Sequence, residues 1–185
     1  MLRSSISIAP RSIALACVML AALGATSCFD PEHSDEVNAL GGEINGVGPG
    51  PLHRPGQACL VCHGGSGPGS PDFSVAGTIY VNRGENIPQA GALVTVTDVT
   101  KDVRSFRTNE AGNFYVSVDE WSPTFPVTVY VKPPDDLVAA QPKAGLSQMT
   151  SPIGRNGGCG FCHYGNDGAM DHMPPIYLVQ PSKAP

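Results

Sequence analysis

Aromatic residues make up only 6% of this 185-residue chain, and charged residues only 15%. The first shortage leaves too little bulky apolar material for the core of a large enzyme, and the second leaves too little charge for a disordered tail. Cations are scarce as well: 11 Lys and Arg stand against 16 Asp and Glu, a net charge of −5. Phosphate binding needs a basic face, so nucleic acid is excluded as a partner. In contrast, 22 Gly and 18 Pro make turn-forming residues abundant, well above the usual share of about 12%. Such a chain supports one modest domain with irregular flanks. Six Cys and five His, with four of the Cys in tight pairs, point to a metal, a cofactor or disulfides.

The first 27 residues stand apart. Arg3 and Arg11 give a basic start, the apolar run Ile13 to Ala25 carries no charge, and the small residues Ala25-Thr26-Ser27 precede Cys28. At 13 residues the run is too short to span a bilayer and reads as a secretory signal. Cys17 inside it has no role in the mature chain. The site resembles the lipobox of bacterial lipoproteins, in which the Cys is lipidated and becomes the mature N-terminus. Ala25 departs from that pattern, where Leu is usual, and ordinary cleavage after Ser27 would cut the same bond. On the first reading Cys28 anchors the protein to the outer membrane, facing the periplasm or the cell surface. On the second it is secreted free. Removal of the signal leaves 9 Lys and Arg against 16 Asp and Glu, a net −7.

From Cys28 to Leu52 the chain is acidic and then glycine-rich, with no period of 2.0 or 3.6, and reads as a flexible tether over 28–52. Between Ser74 and Lys132 short β-branched runs take over: Val75 to Val81, Ala92 to Thr97, Val103 to Thr108, Phe114 to Val118 and Val127 to Lys132. Ala92, Val94 and Val96 alternate with Leu93, Thr95 and Thr97, and Val127, Val129 and Val131 alternate with Thr128, Tyr130 and Lys132. That alternation is the mark of strands with one buried face. Asn82-Arg83-Gly84, Thr100-Lys101-Asp102 and Asn109 to Asn113 supply turns. The segment 73–133 is therefore expected to be a small antiparallel sandwich.

Gly77-Thr78-Ile79, Ile87-Pro88-Gln89-Ala90-Gly91-Ala92-Leu93-Val94-Thr95-Val96 and Thr108-Asn109-Glu110-Ala111-Gly112-Asn113-Phe114 carry a resemblance to the carboxypeptidase regulatory-like domain, a transthyretin-like β-sandwich. The resemblance covers about a third of the chain and implies a scaffold or binding module without catalytic residues.

The chemistry lies in Cys59-Leu60-Val61-Cys62-His63 and Cys159-Gly160-Phe161-Cys162-His163. Two thiols separated by two residues reach the two vinyl groups on one edge of a haem, and the following His then lies under the iron. At this chain's Cys and His frequencies a C-x-x-C-H would arise by chance roughly 0.005 times. The pair resembles the motifs of a dihaem c-type cytochrome, which implies two covalently attached haems, with Cys59, Cys62, Cys159 and Cys162 as attachment points and His63 and His163 as iron ligands. Export, which this attachment requires, is what the signal provides. A four-thiolate zinc site or two disulfides within the pairs are the blander readings. A thioredoxin-like function lacks its βαβ context.

Each iron has a second axial position. His53, six residues before Cys59, and His172, ten after Cys162, are the candidates, either each for its own haem or exchanged. Met149, Met170, Met173 and His33 compete with them. The resulting expectation is a mainly β chain: a small antiparallel β-sandwich flanked by two irregular, haem-organised segments, 53–72 and 153–180, with a linker over 134–152 and a tail over 181–185. The functional expectation is an exported electron carrier, not an enzyme. Its partners would be redox proteins or extracellular acceptors and the membrane through Cys28, with self-association open. A haem peroxidase or sensor with one open iron, or an adhesion lipoprotein whose sandwich binds a ligand, is the alternative.

Overall fold

The computed structural model describes residues 30–43, 46–165 and 172–179. The signal at 1–27, Cys28, Met170 and the tail at 181–185 lie outside them. The chain divides into a unit ending at Glu36 and a second from Val37 onward.

The stretch read as a tether contains a helix, α1 (Pro31–Ala39). Asp30 caps it: its Oδ1 accepts from the His33 amide at 3.2 Å. Pro31 follows at the first helical position, where its missing N–H and fixed φ are an advantage. Gly41, with φ of 73°, ends the turn.

The second unit is a two-sheet sandwich of eight strands among the described residues. They are β1 (Phe73–Asn82), β2 (Leu93–Thr97), β3 (Val103–Arg107), β4 (Asn113–Ser117), β5 (Thr128–Lys132), β6 (Ser147–Gln148), β7 (Gly157–Gly158) and β8 (Ile176–Val179). One sheet runs β3-β2-β5-β6, antiparallel throughout. The other is built on β1, with β4 antiparallel along one edge and β7 and β8 parallel along the other. Val94 and Val96 from β2, Val129 and Val131 from β5, Val75 and Ile79 from β1, Phe114 and Val116 from β4 and Leu178 from β8 fill the space between the sheets. Their alternation along each strand is what makes a two-sheet core possible. Thr128, Tyr130 and Lys132 point outward, as their alternation predicts. Thr95 is the exception. It faces outward yet is buried, with its hydroxyl 2.8 Å from that of Ser105.

Two segments carry more structure than the sequence suggested. The linker holds α3 (Asp135–Ala140), whose Leu137 packs on the core, and the strand β6. The second candidate haem segment supplies β7 and β8. It completes the sheet on β1 instead of hanging beside it, and Ile153 bridges to Val127 ahead of it.

Candidate cofactor site

The first C-x-x-C-H forms a single helical turn, α2 (Cys59–His63). The segment that leads into it lies against the outer face of the β1–β4 pair. The Gly56 amide donates to Thr78 Oγ1 at 2.8 Å, and Thr78 Oγ1 donates in turn to Asn113 Oδ1 at 2.8 Å. Asn113 Nδ2 donates to the His53 carbonyl at 3.0 Å, and Asn109 Nδ2 to that of Pro51 at 2.6 Å. Three strand and turn side chains, Thr78, Asn109 and Asn113, thus replace internal hydrogen bonds that a Gly/Pro-rich segment cannot make for itself.

His63 is only 8% exposed. Its ring stacks on Phe73, with centroids 4.3 Å apart, and Phe73 stacks on Tyr115 at 4.8 Å. Its Nδ1 lies 2.7 Å from the Pro71 carbonyl. A carbonyl only accepts, so Nδ1 carries the proton and the lone pair of His63 is on Nε2. The His53 ring stands across from it, with centroids 6.0 Å apart and planes at 62°. A cavity of about 570 Å³ adjoins them, lined among others by His53, Cys59, Cys62, His63, Phe73 and Tyr115. Small-molecule and cofactor sites span about 300–1,000 Å³.

The second motif leaves the sheet directly after β7 as a short 3₁₀ turn over Cys159–Phe161. The His163 amide closes onto the Cys159 carbonyl at 2.9 Å. Its Nδ1 lies 2.7 Å from the Pro174 carbonyl, and its Nε2 is buried without a hydrogen-bond partner. The two motifs therefore fix the same tautomer by the same device: a proline carbonyl downstream holds Nδ1–H and leaves Nε2 to a ligand. Metal-bound imidazoles are held this way. The first thiols match too, with Cys59 Sγ 3.6 Å from the Gln57 carbonyl and Cys159 Sγ 3.8 Å from that of Gly157. Burial pushes the Cys59 thiol up to about 11, and burial together with the nearby Cys59 pushes Cys159 up to about 12.

The two motifs abut. A β-carbon on Gly160 would lie 2.6 Å from the Gln57 carbonyl oxygen and 2.8 Å from Ala58 Cα, so the second motif lies flush on the backbone that opens the first. On the other side Gly77 of β1 leaves room for Cys159, whose Cβ and Sγ would be 2.8 and 3.1 Å from a β-carbon there.

The other candidates fall into place around this pair. His172 stacks on Tyr164, the residue after His163, with centroids 4.3 Å apart. Each candidate distal His thus lies beside its own motif. Met149 packs against the sandwich core, and Met173 is an exposed side chain whose backbone pairs with His163. His33 lies 3.7 Å from Glu36 within α1. Cys59, Cys62, Cys159 and Cys162 are free thiols. Among the described residues no three His, Cys, Asp or Glu converge as a metal-binding group. The donor set beside each motif is two thiols and one or two imidazoles, which is what a haem, bringing four nitrogens of its own, would need. No helix among the described residues is long and apolar enough to cross a membrane. Comparison of the chain with protein families, curated proteins and solved structures gives no match.

Sequence reasoning missed Pro71, Pro174, Phe73 and Tyr115. The prolines act through backbone carbonyls, which no residue type announces. Phe73 and Tyr115 look like ordinary strand residues.

Proposed function

We propose that the chain is an exported dihaem c-type cytochrome that carries single electrons between redox partners, with its sandwich, of the carboxypeptidase regulatory-like kind, as the frame. The observation that supports it most is the repeated Nδ1-to-proline-carbonyl bond. Two motifs, 100 residues apart in sequence, present the same tautomer with the same nitrogen left for a metal. When bound, each haem supplies a one-electron iron couple. The chain's part would be to hold it: Cys59 and Cys62 would attach the first and Cys159 and Cys162 the second, with His63 and His163 as iron ligands through Nε2 and His53 and His172 as the candidate second ligands. The stack of His63, Phe73 and Tyr115 fixes the first ligand ring.

Intact mass and a pyridine haemochrome spectrum of protein matured in a cytochrome c-competent host test the reading. Two covalent haem increments per chain are expected, both low-spin with two nitrogen ligands. A mass without haem, zinc held by the four thiolates, or a sulfur-to-iron charge-transfer band would overturn, respectively, the attachment, the cofactor or the distal histidines.

A further inference from the structure

The first candidate site holds a carboxylate that its motif does not explain. His53 Nδ1 is buried and makes no hydrogen bond, yet it stands 3.5 Å from Glu43 Oε1. The same oxygen accepts from Arg54 Nε at 3.0 Å. Arg54 Nη1 donates to Gln57 Oε1 at 2.9 Å, and Gln57 Nε2 to the Leu40 carbonyl at 2.9 Å. Glu43 is thus not a stray surface acid but the end of a braced chain that runs from the Leu40 carbonyl to the edge of the His53 ring. The Asn113 bond to the His53 carbonyl fixes the other end of that residue. Glu43, His53, Arg54 and Gln57 all line the same cavity.

The two motif histidines differ from His53 in one respect. Their Nδ1–H groups meet neutral carbonyls, whereas His53 Nδ1 stands 3.5 Å from the Glu43 carboxylate oxygen that Arg54 Nε also engages. A carboxylate on the far nitrogen of a ligating imidazole fixes its orientation and makes it a stronger donor. A stronger donor favours the more highly charged ferric iron.

Resting on the dihaem reading above, we propose that Glu43 is a positioning residue for His53: it orients the His53 ring and lowers the potential of the haem that Cys59 and Cys62 would hold. Arg54 acts in the opposite sense, because it draws on the same carboxylate oxygen.

The test is spectroelectrochemistry on the full-length, haem-loaded protein, wild type beside Glu43→Gln, Glu43→Asp and Arg54→Gln. Glu43→Gln is expected to shift the ferric-to-ferrous equilibrium of one of the two haems toward ferrous by about tenfold, which is about 59 mV for one electron, and to leave the other haem unchanged. Arg54→Gln is expected to shift the same haem the opposite way, and Glu43→Asp to restore part of the wild-type value. The opposed signs are what a purely structural role would not produce. Equal shifts in both haems, shifts of one sign in both variants, or no shift would overturn the inference while the dihaem reading stands. If Glu43→Gln fails to accumulate, the sign of the Arg54→Gln shift decides alone. Wild-type protein without covalent haem would overturn the dihaem reading, and this inference with it.

Discussion

Gly160 is where the two motifs can be forced apart. An alanine there keeps an allowed backbone, but its β-carbon would stand 2.6 Å from the Gln57 carbonyl oxygen, 2.8 Å from Ala58 Cα and 2.9 Å from the Gln57 carbonyl carbon. Ordinary contact begins at about 3.5 Å, so the second motif has to retreat by most of an ångström from backbone that no rotamer change can move. Overpacking of this kind costs about 1–3 kcal/mol. In a chain of this length that is a fall in Tm of about 2–12 °C. The neighbour, not the motif, imposes the penalty, since the equivalent position of the first motif is Leu60. Gly154→Ala is the control, because a β-carbon at Gly154 meets nothing within 4 Å. Thermal unfolding followed by far-ultraviolet circular dichroism compares the two. A Gly160→Ala protein as stable as Gly154→Ala would refute the claim that the motifs abut.

Three further outcomes are expected. Thr78→Val removes the hydroxyl that joins Gly56 to Asn113; leaving those buried groups unpaired costs about 1–3 kcal/mol, and amide exchange should rise at Gly56 while the β2–β5 pairing keeps its protection. The Thr100 hydroxyl, with amides of Thr124 and Asp102 beside it, holds the Asp98 carboxyl below its ordinary value. Its contribution is therefore full above the unfolded carboxyl value of about 3.9 and is lost as pH falls through the lower folded value, so the Tm gap between wild type and Asp98→Asn should be constant from pH 7 to about 5 and close below about pH 4. Cys28→Ser should release the protein from the membrane fraction with unchanged haem content; continued membrane association would refute anchoring through Cys28, and wild-type protein already absent from the membrane would leave ordinary secretion as the export route.

The strands that alternate were legible because burial on one face writes itself into side chains: Val127, Val129 and Val131 are buried, and Thr128 and Tyr130 between them are not. β7 was not legible, since Gly157-Gly158 has no side chain to carry a period and exists as a strand only because Val75 and Ala76 of β1 lie alongside. β8 pairs in parallel with a strand almost a hundred residues earlier, a contact that no local pattern encodes. The helix α1 is a different case. Asp30-Pro31 at its start and Gly41 after its end are ordinary start and stop signals, and the polar composition between them obscured a helix that was there to be read. At the candidate site the thiols and the motif histidines were plain from spacing, and His53 from its place near Cys59. Glu43 was not, because its relation to His53 depends on how a Gly/Pro-rich stretch turns back on itself.

The way β7 and β8 share one edge of β1 bears on how interchangeable the parts of this molecule are. Gly158 leaves the sheet opposite Ala76 and Ile176 rejoins it opposite Ile79. The whole excursion from residue 159 to residue 175 thus starts and finishes three strand positions apart, about 10 Å. Its ends are clamped by the sheet, so the entropy of closing the loop is met by strand pairing and not by what the loop binds. A segment mounted in this way is a cassette. Loops of other length or chemistry with ends about 10 Å apart could be exchanged into it without disturbing the β2–β5 sheet, whereas the first motif, pinned across the outer face of β1 and β4 by Thr78, Asn109 and Asn113, cannot be lifted out without rebuilding that face.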